Sequence, residues 1–216
     1  MYFNKAFVDF FKGLAANNNR EWFLDNKKIY DKEVKKPFEQ LVADLIEATG
    51  SKLLVKDATF RINKDIRFSK DKSPYKLHVG AVISDGGRKD MTIPGMYLHL
   101  SAEEQWIGGG MYMPEKNQLE QIRMAIANNP KTWDKMLQNP DFIKFYTSIK
   151  GEKNKILPKE LKEFGDNEWV YNKQFYYMAE YHDQQIPTKP DLLPFIMQHY
   201  EAGKEFISFF KATLGK

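Results

Sequence analysis

Six basic residues and two acids fall within sixteen positions of this sequence, the segment 61 to 76, RINKDIRFSKDKSPYK. Arg61 and Arg67 each carry a planar guanidinium fork that matches the oxygens of a phosphate or carboxylate two at a time. Lys64, Lys72 and Lys76 supply point charge on flexible stems. Asp65 lies near enough in sequence to aim one of the arginines, and the Tyr75 hydroxyl adds a neutral donor. The pattern predicts a site for a phosphorylated or carboxylated small molecule, held by Arg61, Lys64, Asp65, Arg67, Lys72, Tyr75 and Lys76. The competing expectation is a structural network in which Asp65 and Asp71 brace the loop against the cations and no ligand binds.

Charge balance favours the anion site. The chain has 33 basic and 29 acidic residues, and 27 of each lie outside the segment, so these sixteen positions hold the whole formal excess of +4. So local an excess fits a single anion better than the spread basic face of a nucleic-acid track, and a nucleic-acid or protein binding module is the second expectation. If the bound molecule reacts, proton transfer falls to His99 or Asp65, with the arginines stabilising developing negative charge. The sequence specifies no reaction, no cofactor and no oligomeric state.

Other patterns nearby carry less. Ser69 with Lys72 and Ser73 with Lys76 have the spacing of a serine nucleophile and lysine base, but the partner motifs of those acyl enzymes are missing. Gly108-Gly109-Gly110 lacks the spacing of a phosphate-binding loop and is expected to form a bulge or tight bend. His78, His99, His182 and His199 lack short-range ligand spacing, so no metal site is expected. Arg123 is expected either to join the basic site or to face solvent.

The elements that must position these residues follow from period and punctuation. Phe3, Phe7, Phe10, Phe11 and Leu14 recur at helical spacing. Asn18 and Glu21 approximate a capping box for a second helix near Arg20, which Pro37 must kink or restart. Leu77 to Ser84, Met96 to Ser101 and Gln105 to Tyr112 alternate as strands joined by loops too short for parallel crossovers, which predicts an antiparallel meander. A short strand at Phe60 to Ile62, with both side chains inward, delivers the basic loop. A helix follows Pro114, two shorter ones cover Trp133 to Leu137 and the residues from Asp141, and Gly151 to Asn172 reads as a loop with a helical turn near Leu161. Gln174 to Tyr181 rejoins the sheet, and a long helix closes the chain.

The fold class is therefore α+β, a central antiparallel meander flanked by N-terminal and C-terminal helices. The 216 residues form one domain, helical over 1 to 50, sheet-bearing over 58 to 112 and mostly helical from 113, with a strand near 174 to 181. A hydrophobic content of 42% suffices for a sizeable core. Cysteine is absent, and the opening MYFNKAFVDFF reads as a packed helix rather than a secretory signal, so a cytoplasmic protein is expected. No apolar stretch approaches the roughly 20 residues of a bilayer span.

The segment resembles the hallmark of a bacterial and fungal family catalogued as domain of unknown function 2461, whose signature runs Arg-x-x-Arg-Asp-x-Arg-Phe, followed by Lys and Tyr. Arg61, Asp65, Arg67, Phe68, Lys72 and Tyr75 match it. Lys64 stands where the family has arginine, which replaces a two-point contact by a single charge. Further matching stretches are Asn18 to Phe23, Pro94 to Leu100, and Gly108 to Gly110 through Pro114 to Arg123, so the resemblance covers roughly residues 5 to 125. It implies a family and no particular activity.

Overall fold

The computed structural model describes residues 1–67 and 69–215; Phe68, one of the matching signature positions, lies outside them, as does Lys216. Helix α1 (Lys5–Ala16) buries Phe7, Phe10, Phe11 and Leu14, the apolar face its period calls for. Helix α2 (Arg20–Asp25) is capped by Asn19, whose side-chain oxygen accepts from the Trp22 N–H at 2.9 Å. Asn18, the expected cap, stands one position too early and does other work. Helix α3 (Lys27–Ile29) passes through a π-helical turn, Tyr30–Lys35, into α4 (Lys36–Ala48). The widened turn lies directly ahead of Pro37 and takes up its missing donor and its ring, so the expected kink is a π-turn inside a continuous helix. A single turn, α5 (Val55–Ala58), leads to the basic segment.

Strands β1 (His78–Ile83), β2 (Gly95–Ser101) and β3 (Gln105–Met111) form the meander. Helices α6 (Lys116–Asn128), α7 (Pro130–Leu137) and α8 (Pro140–Tyr146) follow. The expected turn near Leu161 is the 3-10 stretch Lys159–Phe164, and a second, Glu168–Tyr171, precedes β4 (Phe175–Tyr181). Helix α9 (Leu192–Leu214) completes the order. The sheet runs β1-β2-β3-β4 with every neighbour antiparallel.

Because strand side chains alternate, one face of this sheet gathers Val79, Ala81, Leu98, Leu100, Ile107 and Tyr177. Two apolar clusters cover it, one built with α1 to α4 and one with α6 to α9. Gly108, Gly109 and Gly110 sit in regular register between β2 and β4, so the expected bulge or bend does not form. Close approach is the reason for glycine here. A Cβ at Gly109 would come within 2.7 Å of the Tyr177 hydroxyl, and Gly110 adopts φ +108°. The Tyr177 hydroxyl then donates to the Gly203 carbonyl at 2.8 Å, which brings α9 down onto the sheet.

Arg123 follows neither expectation. It is 2% exposed, and its Nε and Nη2 donate to the Asn172 carbonyl at 2.9 and 2.7 Å. A buried guanidinium thus closes the carbonyl-rich end of the Glu168–Tyr171 turn, far from solvent.

Candidate functional site

The other face of the sheet floors a cleft of about 450 Å³, within the size range of small-molecule sites. Strand alternation supplies the floor: His78 and Val82 from β1, Tyr97 from β2, Trp106 from β3, and Tyr176 and Met178 from β4. Phe60, Met91, Ile93 and Tyr112 form the walls, and Lys76 and Glu180 are the charged residues lining it. Glycine at positions 108 and 110, on this same face, leaves the middle of the floor low.

The basic segment enters along the edge of β1. The Phe60 N–H donates to the Gly80 carbonyl at 2.9 Å, and Thr59 bridges Ala81, so the expected short strand is reduced to an isolated bridge. Ile62 is buried in the core as expected, whereas Phe60 turns to the cleft, because its position falls on the uncovered face. Beyond Ile62 the chain forms a hairpin-like loop, closed by Lys76 N–H to Ile62 carbonyl at 2.8 Å and Lys64 N–H to Pro74 carbonyl at 2.9 Å. Asn18 clamps its base: its amide donates to the Tyr75 carbonyl at 2.9 Å and accepts from the Tyr75 N–H at 3.1 Å. The Tyr75 ring, 6% exposed, stacks on Phe23 at 4.1 Å within the apolar core.

The charges divide into two groups. At the outer end, Arg67 donates from Nε and Nη2 to the two Asp65 oxygens at 2.9 and 2.6 Å, which holds the Asp65 carboxyl down at about 2. Lys64 donates to Asp71 at 2.7 Å and to the Ser73 hydroxyl, and Lys72 donates to the Ile66 carbonyl at 3.0 Å. These are bracing contacts, and Asp65, kept ionised by its arginine, is a weak base. Ser73 is engaged with Asp71 and Lys64 rather than with Lys76.

At the inner end stand Arg61, Lys76 and Arg88. The Lys76 ammonium donates to the Arg61 carbonyl at 3.0 Å and lies over the Phe60 ring at 5.1 Å. Burial, then the charges of Arg61 and Arg88, push its pKa down. The Arg88 Nε is buried without an acceptor among the described residues, while its neighbour Lys89 pairs with Asp57. Arg88 lies outside the sixteen-residue segment, and its only sequence signal is its place in the turn after β1, between the glycines and the wall residues Met91 and Ile93.

His99 lies beneath the cleft. Its ring is stacked between His78 at 3.9 Å and Trp106 at 4.5 Å and is 4% exposed, with Nδ1 3.4 Å from the Tyr97 hydroxyl. Burial, then His78, lowers its pKa to about 3. For His78, burial followed by Lys76 and Lys64 lowers the value to about 4, so both imidazoles are neutral at pH 7. The histidine that reaches the cleft is His78, a position that alternation alone could have picked. His199 is buried elsewhere, its ring nitrogens on Tyr181 at 2.6 Å and the Phe195 carbonyl at 2.8 Å. Among the described residues no cluster of His, Asp or Glu could hold a metal ion.

Fold and site together define an α+β protein with a four-stranded antiparallel meander, helices on one face and an aromatic cleft beside the basic segment on the other. The chain belongs to the family described as Conserved hypothetical protein (DUF2461), which matches residues 6–209 and so reaches well past residue 125, where the motif resemblance thins. No curated protein and no solved structure matches it. Among the described residues no helix is long and apolar enough to cross a membrane.

Proposed function

We propose that the cleft binds a small molecule with a phosphate or carboxylate at one end and an apolar, planar body. The observation that carries this reading is Lys76 lining the aromatic cleft with the charges of Arg61 and Arg88 acting on it from nearby, and no carboxylate paired to any of the three among the described residues. Three cations kept close together repel one another, and an anion between them relieves that repulsion. Tyr97, Trp106, Tyr112 and Tyr176 offer flat apolar surface for the rest of the ligand. The outer pairs, Arg67 with Asp65 and Lys64 with Asp71, support a bracing role for that half of the segment, so the ligand set shifts inward from the one the sequence suggests.

Thermal melts with inorganic phosphate, phenyl phosphate and benzoate test this. Phenyl phosphate at a hundred times its Kd should stabilise the chain by about 2.7 kcal/mol. The shift should be lost in Arg88→Ala and Lys76→Ala and kept in Arg67→Ala. Wild-type melts unmoved by all three anions would overturn the proposal.

A further inference from the structure

The two charged residues that line the cleft stand at opposite edges of the sheet. Lys76 lies beside edge strand β1, its ammonium over the Phe60 ring, and Glu180 projects from edge strand β4. Three strand spacings separate the edges, roughly 14 Å in all. Register carries Gly80, His99, Trp106 and Glu180 across the cleft face in one row, so Glu180 is the immediate neighbour of Trp106. The indole is held in place: one face stacks on His99 at 4.5 Å, and Nε1 donates to Glu104 at 3.1 Å. Its opposite face is turned towards β4 and Glu180. A ring fixed in this way offers a stacking platform at little cost in order. Glu180 accepts from Lys150 at 2.8 Å through Oε1, and its Oε2 has no donor among the described residues. Both members of that pair are about half exposed, so the bond is weak and leaves the carboxylate able to accept further donors.

We infer that the ligand of the cleft is a guanine-type nucleotide, its base stacked on the β4-side face of Trp106 with two adjacent N–H donors on the Glu180 carboxylate, and its phosphate at Lys76. The inference rests on the anion cleft proposed above and names the ligand class for it. A carboxylate accepts best from two parallel donors side by side. Guanine presents such a pair, the ring N–H and the exocyclic amine. Adenine and cytosine place a ring lone pair beside their amine, which would face a carboxylate oxygen and repel it, and uracil has a single N–H between two carbonyls. Length selects in the same direction. Phenyl phosphate is too short to touch both Lys76 and Glu180, whereas base, sugar and phosphate in line cross most of the sheet, and the Glu180 side chain and the Lys76 stem close the remainder.

Calorimetric titration of the full chain with GMP, IMP, AMP and phenyl phosphate tests this. GMP should bind at least tenfold more tightly than AMP and than phenyl phosphate, with IMP, which lacks the exocyclic amine, in between. Glu180→Gln should weaken GMP at least tenfold, because an amide sets a donor where the second acceptor oxygen stood, and should leave phenyl phosphate, which does not reach that edge, unchanged. AMP binding as tightly as GMP, or GMP binding indifferent to Glu180→Gln, would overturn the inference. If phenyl phosphate binds and the bases are not told apart, the nucleotide falls and the anion cleft stands; if none of the four binds, both fall. Should Glu180→Gln not fold, the wild type decides alone: GMP must bind more tightly than both IMP and AMP, and equal affinities refute the assignment.

Discussion

The imidazoles of His78 and His99 lie face to face, centroids 3.9 Å apart and planes 25° from parallel. Two neutral rings stack well in a partly dry site, and two charged ones do not. The first consequence is acid sensitivity. In the unfolded chain each histidine titrates near its ordinary value of about 6.5, and in the fold His78 and His99 do so at about 4 and about 3. The unfolded state therefore binds more protons between those values, so the stabilisation is complete above about pH 6.5 and is lost as pH falls towards 4 and below. Shifts of this size are worth on the order of 3 kcal/mol for His78 and about 5 kcal/mol for His99. Urea melts at pH 7.5, 6, 5 and 4 should show the decline, and His99→Phe should flatten it.

Asn18→Ala removes both hydrogen bonds from the Tyr75 backbone and leaves a partly buried N–H and carbonyl unpaired. The expected cost is about 2 kcal/mol. Proteolysis should then cut first between residues 64 and 74, since the clamp holds the base of that loop. A variant as stable and as resistant as the wild type would show that the clamp does not hold the loop.

Arg123→Met should destabilise by about 3 kcal/mol, because the Asn172 carbonyl loses both of its guanidinium donors in a buried site. Arg123→Lys should recover less than half of that, having no fork to make two bonds. Denaturant titration of the three chains measures both figures.

Gly203→Ala places a methyl 2.4 Å from the Tyr177 ring and should cost about 3 kcal/mol by pushing α9 off the sheet. Tyr177→Phe keeps the packing and loses the hydroxyl bond to the Gly203 carbonyl, for about 1 kcal/mol. If Gly203→Ala proves the milder of the two, close approach is not what α9 requires there.

Residue period and punctuation alone determined the meander, its four strands, the helices around it and the inward apolar faces, since these depend on side chains close in sequence. The basic segment was legible for the same reason, as was its charge excess. Which of its cations line the cleft was not. Asp65 takes Arg67 two residues on, Asp71 takes Lys64 because the hairpin turns them together, and Arg88 comes near Lys76 with a turn after β1 that packs against α5, where Lys89 pairs with Asp57. His99 and His78 occupy the same face of the sheet, yet the stack with Trp106 buries the first and leaves the second at the cleft. Contacts between segments decide burial, and burial decides which charges are tied down and which side chains line the cleft.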